Sequence, residues 1–168
     1  MEFEWYVREQ QRPLFRFAVV LTGDPVFAED LLADVLGTAF ENWAKVTAAD
    51  NPHAYVRRML VNAFIRSRRR GGRVAVYPDL EAIIPPAADH SGGHAERDWL
   101  AREMRKLPAR QRAALVLRFY EGLSFGEIAA LLGTGENAVR SNLSRALRRL
   151  RLELSEDAED SQPERLEV

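Results

Sequence analysis

The sequence contains no cysteine. That excludes disulfides and thiolate metal sites and fits a reducing compartment. No apolar stretch is long enough to span a bilayer. The opening residues Met1-Glu2-Phe3-Glu4-Trp5 lack the basic-then-apolar order of a signal peptide. The expectation is a soluble cytoplasmic protein with no membrane partner. Alternating strand patterns are also missing, apart from a weak candidate, RVAVY at 73–77. There is no phosphate-binding loop and no nucleophile constellation, so the chain does not read as an enzyme, and no ligand set calls for a metal or other cofactor. His90 and His94, with Asp89 beside them, lie in a glycine-rich stretch that offers no rigid scaffold for a metal.

Net charge is nearly absent too, at -1 over 168 residues, but it is a sum of unequal parts. Residues 51–73 carry Arg57, Arg58, Arg66, Arg68, Arg69, Arg70 and Arg73 and no carboxylate. Residues 24–34 hold Asp24, Glu29, Asp30 and Asp34, and the tail beyond Leu152 is mostly acidic. Such asymmetry points to separate partners for separate surfaces, while the tail reads as a solvated run.

What is present in quantity is helical punctuation. A first helix over about 3–21 is anchored by Phe3, Val7, Leu14, Phe17, Ala18 and Leu21. Asp24 followed by Pro25 is an N-cap with proline at the first helical position, and Phe27, Leu31, Val35 and Ala39 recur every fourth residue after it. Asn51 and Pro52 repeat the device before a helix reaching about Arg70, with Val56, Met59, Leu60 and Ala63 inward. The first seventy residues therefore read as a three-helix unit. Periodicity is lost over 71–94, too long a stretch for a loop within one compact domain. Helices resume near Ala95, break at Pro108, and run on to Tyr120.

Ser124 and Glu127 form a capping box for a short helix, GTGE interrupts it, and a last helix spans about 137–154. A capped helix, a glycine-containing turn and a longer helix describe a helix-turn-helix. On the last helix Val139, Leu143, Ala146, Leu147 and Leu150 form one stripe. Asn137, Arg140, Ser141, Asn142, Ser144, Arg145 and Arg148 project elsewhere, as donors suited to phosphates and base edges in a major groove. An amphipathic bundle helix with a soluble face would share the spacing. The capping box, the turn and the sign of the charge favour nucleic acid.

The stretch LPARQRAALVLRFYEGLSFGEIAALLGTGENAVRSNLSRALRRLR resembles the promoter-binding carboxy-terminal domain of bacterial extracytoplasmic-function sigma factors. LTGDPVFAEDLLADVLGTAFENW followed by NPHAYVRRMLVNAFIRSRRR is similar to their amino-terminal domain, and the pair most resembles the actinobacterial sigma-E branch. The resemblance implies an all-α protein of two small helical domains, 1–70 and 95–154, joined by a flexible linker over 71–94 and followed by an acidic tail, 155–168. It implies core RNA polymerase, at its clamp and flap regions, and promoter DNA as partners, with an anti-sigma factor besides. By carry-over, Asp30, Leu31, Asp34 and Val35 dock on the polymerase clamp. Asn62 contacts the minus-ten element, Tyr55 offers a stacking ring, and Arg58, Arg66, Arg69 and Arg70 meet its phosphates. The residues named on the last helix read the minus-thirty-five element. The chain departs from the family pattern at Ala33, Gly135, Ala138 and Asn142.

A free-standing helix-turn-helix regulator is the rival within DNA binding, and it leaves the basic helix at 52–70 unexplained. A sigma mimic that occupies an anti-sigma factor predicts loss of the basic faces, and both faces remain.

Overall fold

The computed structural model describes residues 1–69 and 94–160, with side chains for 1–67 and 99–151. All regular structure among them is helical: α1 (Phe3–Thr22), α2 (Pro25–Glu41), α3 (Trp43–Thr47), α4 (Pro52–Arg69), α5 (His94–Lys106), α6 (Ala109–Leu115), α7 (Phe125–Leu132) and α8 (Glu136–Asp160). A π-helical turn, Val116–Tyr120, prolongs α6. The stretch 70–93, which includes the weak strand candidate at 73–77, and the end of the tail lie outside the described residues.

Local chemistry sets the joints. α1 stops at Gly23, whose φ of 69° lets its N–H bond back to the Val19 carbonyl. One residue on, the Asp24 carboxylate accepts from the N–H groups of Val26 at 3.0 Å and Phe27 at 3.2 Å, so α2 begins where proline needs no donor. Asn51 Oδ1 accepts from the Ala54 N–H at 3.0 Å and starts α4 in the same way. The Ser124–Glu127 capping box is complete, and these hydrogen bonds from Ser124 hold the Glu127 carboxyl below its ordinary value. Gly133, at φ 63°, ends α7 and makes the turn into α8.

Two differences from the sequence expectation have physical causes. The amino-terminal unit has a fourth helix, α3, too short at five residues to show a period. Trp43 begins it and packs edge-on against Phe3, 5.2 Å between centroids, while its Nε1 donates to the Met1 carbonyl. The last helix runs through Asp160 rather than ending near 154, because LELSEDAED contains no glycine or proline to stop it.

α1 and α2 pair, α4 crosses α2, and α6 and α7 pack on α8. α4 also packs against α6 and α7, so the two units touch. Their buried apolar side chains, Phe17, Leu60 and Phe64 from one and Leu117, Ile128 and Val139 from the other, form one continuous cluster.

Candidate nucleic-acid interface

α4 presents two unlike faces. Val56, Leu60, Val61, Phe64 and Ile65 are buried. Tyr55, Arg58, Asn62 and Arg66, spaced by three or four residues, share the opposite face. Tyr55, Arg58 and Arg66 are exposed and Asn62 is half-buried, so all four stand where a strand could meet them. The side chain of Arg69, and Arg70 altogether, lie outside the described residues. Arg57 belongs to neither face and turns toward Glu121, with which it forms an ion pair. At the start of the helix, Nδ1 of His53 and the Tyr6 hydroxyl are 3.2 Å apart. Burial, and then the charge of Arg57, hold the His53 pKa below its usual value. Burial also pushes the Tyr6 pKa up to about 12.

On α8 the stripe is as its sequence spells it. Val139, Leu143 and Ala146 are buried, and Leu147 and Leu150 are half-buried. Asn137, Arg140, Ser141, Ser144, Arg145 and Arg148 are exposed on the other side, and Asn142 is half-buried at its border. Arg140 is held in two ways. Its guanidinium lies 4.2 Å from the centroid of the Phe125 ring, and Nη2 is 3.8 Å from the Glu136 carboxylate. With both partners of that ion pair more than half exposed, it contributes little to stability.

Arg118 and Phe119 are absent from the sequence-based site, as is Arg151. Arg118 sits 4.8 Å from the same Phe125 ring and donates to the Leu123 carbonyl at 2.9 Å. An open groove of about 640 Å³ follows, with Arg118, Arg140, Arg148 and Arg151 along its polar side and Phe119 at its edge. The wide turn at 116–120 brings Arg118 there and leaves Phe119 67% exposed. A π turn has no sequence signature in the helical period, which is why the pattern missed them.

The acidic site on α2 needs a correction. Asp30 and Asp34 are exposed as expected, but Leu31 and Val35 are 5% and 4% exposed. Their four-residue spacing turns them into the core, where they fix the orientation of α2 instead of offering surface. No group of three or more metal-ligating side chains occurs among the described residues, and no described helix is long and apolar enough to cross a membrane.

A region carrying a polar-faced basic helix, followed by a helix-turn-helix carrying another, is the arrangement of a sigma-70-type initiation subunit. Family comparison places residues 6–74 in sigma-70 region 2 and residues 97–150 in sigma-70 region 4. The chain is 37% identical over 154 residues to the RNA polymerase sigma-E factor of Streptomyces coelicolor, covering 92% of this chain and 86% of that one. It is 30% identical over 152 residues to the ECF RNA polymerase sigma factor SigL of Mycobacterium tuberculosis, with 88% and 86% covered. Among solved structures it resembles the sigma factor RpoE in complex with the anti-sigma factor NepR from Bartonella quintana: TM-score 0.66, 26% identity, 89% and 96% covered. The fold of CnrH, solved with the cytosolic domain of CnrY, is also shared, with TM-score 0.61 at 23% identity and 92% and 88% covered. The chain belongs to the extracytoplasmic-function RNA polymerase sigma factors.

Proposed function

We propose that this sigma factor divides promoter recognition between α4 and α8, with α2 as its principal foothold on core RNA polymerase. The chain directs transcription initiation by binding, and performs no catalysis of its own. The observation that carries the division is the pair of outward polar faces, Tyr55–Arg58–Asn62–Arg66 and Asn137–Arg140–Ser141–Ser144–Arg145–Arg148, on separate units. The first suits a strand whose bases are splayed out. Tyr55 offers a ring for stacking, Asn62 hydrogen bonds to base edges, and the arginines, with Arg69 and Arg70 beyond, meet phosphates. The second suits a major groove, where Arg140 or Arg145 can pair bidentately with guanine and Asn142 with adenine.

Asp30 and Asp34 give α2 an acidic surface that fits a basic patch on the polymerase clamp, and the carboxy-terminal unit meets the flap. The site of action is the cytoplasm, where the polymerase is. An anti-sigma factor is a further partner, supported by the similarity to RpoE solved with NepR.

The test is transcription from a set of promoters by core polymerase with and without the purified chain. Promoter-specific transcripts that require the chain support the reading. Tight, sequence-selective duplex binding by the chain alone, with no transcripts, would establish a free-standing regulator instead. Weak duplex binding by the isolated chain is expected, because a pI near 6.3 opposes the phosphate attraction behind non-specific affinity.

A further inference from the structure

Phe125 is the first residue of α7, and the capping box fixes it there. The Glu127 N–H donates to Ser124 Oγ at 3.2 Å, and the Ser124 N–H donates to Glu127 Oε2 at 2.7 Å. The half-buried ring packs against the cluster that holds Ile128 and Val139. It also meets two guanidinium groups, Arg118 from the π turn at 4.8 Å and Arg140 from α8 at 4.2 Å. Both distances lie within the reach of a cation–π contact. Two like charges can gather at one ring because each has an oxygen beside it. Arg118 Nη1 donates to the Leu123 carbonyl at 2.9 Å, and Arg140 Nη2 is 3.8 Å from Glu136 Oε2. The Glu136 carboxylate lies in turn beside the first turn of α7, where a β-carbon on Gly126 would stand 3.2 Å from Oε1. Unpaired N–H groups and the positive end of the helix favour a carboxylate there. A side chain of α8 is thus restrained from α7.

We infer that Phe125 is a positioning residue: its ring, braced by Arg118, preorganises the Arg140 guanidinium for the upstream promoter element and so sets a base preference there. The inference rests on the reading of α8 given above and adds to it a residue outside the reading face. Arg140 is more than half exposed, and an exposed arginine loses rotamer freedom when it pairs with a base. Restraint in the free chain removes part of that cost before DNA arrives. Contact with a ring uses the flat face of a guanidinium and spares the N–H edge that pairs with guanine. The 3.8 Å approach to Glu136 is too long for a hydrogen bond, so it biases the group without engaging a donor. Arg145, on the same helix, has no ring contact among the described residues and serves as an internal reference.

The test uses the chain bound to core polymerase on a linear promoter with a randomised upstream element, bound and unbound pools being sequenced after a mobility shift. Phe125→Leu keeps an apolar side chain against the cluster and removes the ring. It should weaken binding to the preferred sequences by about 2- to 5-fold, the factor that matches a cation–π contact at an exposed site. It should flatten the preference at the base position that Arg140→Ala flattens, and spare the position that answers to Arg145→Ala. On an Arg140→Ala background it should cost nothing further, since the two groups act as a unit. Phe125→Tyr keeps a ring and should restore the preference. In the free chain, nitrogen relaxation of the Arg140 Nε–H should show a restrained group that Phe125→Leu frees and Phe125→Tyr does not. Where Phe125→Leu loses helical dichroism, Arg118→Met removes the brace, leaves the ring, and carries the same test with a smaller change.

Weakening that is even across all sequences, or that adds in full to Arg140→Ala, would overturn the inference and leave Phe125 to packing alone. So would an Arg140 Nε–H equally mobile with and without the ring. If Arg140→Ala itself altered no base preference, the reading of α8 at that residue would fall, and the promoter half of the inference with it. The relaxation data would then decide the restraint by themselves.

Discussion

α4 and α8 are both amphipathic, both rich in arginine, and both carry an outward polar face, yet they use their surroundings differently. α8 packs against α5, α6 and α7 through one apolar stripe, and most of the other described side chains on it are exposed. α4 is held by α1 and α2 and also by α6 and α7, which leaves a narrower strip exposed. The same residue type therefore does opposite work on the two helices. Arg140 stands on the surface over a ring, while Arg57 is drawn inward to Glu121. Burial and available acceptors decide whether an arginine stays on the surface or joins parts of the protein.

The contrast can be broken at its strongest point first. Phe64 is 1% exposed at the centre of the cluster, so Phe64→Ala should cost about 3 to 5 kcal/mol. Because the cluster runs through both units, chemical denaturation should show the loss in a single transition. Separate transitions, with only the amino-terminal one shifted, would divide the core in two.

Recognition comes next in size. Arg140→Ala and Arg145→Ala should each weaken binding at the upstream element by about 1 to 3 kcal/mol where a bidentate contact is lost. Asn62→Ala should leave that binding intact and impair opening at the minus-ten element. Mobility shifts of the polymerase complex measure the first effect and permanganate footprinting the second. Normal opening by Asn62→Ala would remove α4 from the minus-ten assignment.

The helix starts differ by less. Asn51 caps α4 through its side chain, whereas Gly135 precedes α8 with only its backbone carbonyl engaged. Asn51→Ala should lower stability by about 1 kcal/mol, and Gly135→Ser should raise it by a few tenths. Thermal melting of both variants checks the pair.

The smallest effect is in pH. His53 lies on α4, and no histidine lies on α8. Burial and Arg57 depress its folded pKa below 6.5, so the unfolded chain takes up the proton first. Stability is full above about pH 6.5 and declines as pH falls below it, until the folded-state value is passed. His53→Gln should flatten this part of the stability–pH curve; an unchanged slope would assign it to other groups.

Much of this was legible in the sequence where chemistry is local. Asp24, Asn51 and the Ser124–Glu127 box announce helix starts within a few residues of the groups they cap. The four-residue recurrence of Phe27, Leu31, Val35 and Ala39 announces α2. That same recurrence held the warning that Leu31 and Val35 face inward, and weighing it over family carry-over would have removed them from the docking surface. Asp30 and Asp34, which break the recurrence, were legible as surface. What stayed hidden depends on partners far along the chain. Arg112 meets the Val20 carbonyl, and Arg57 meets Glu121, across separations that no local period encodes. The π turn behind Arg118 was invisible for another reason: nothing in VLRFY distinguishes a wide turn from an ordinary one.

The fit at Gly23 also constrains recombination. Two halves that each carry a polar-faced basic helix invite exchange between related chains. Here one half ends a helix on a glycine, and the other supplies the two arginines that fill the space beside it. A β-carbon on Gly23 would stand 2.5 Å from Nη2 of Arg112 and 2.8 Å from Cγ of Arg105. A hybrid that inherits Arg105 and Arg112 from one parent and a bulkier residue at position 23 from the other would collide at the seam. Both the helix-turn-helix and α4 would then be intact while the halves failed to settle against each other. The compatible unit of exchange is the half together with its matching residue across the seam.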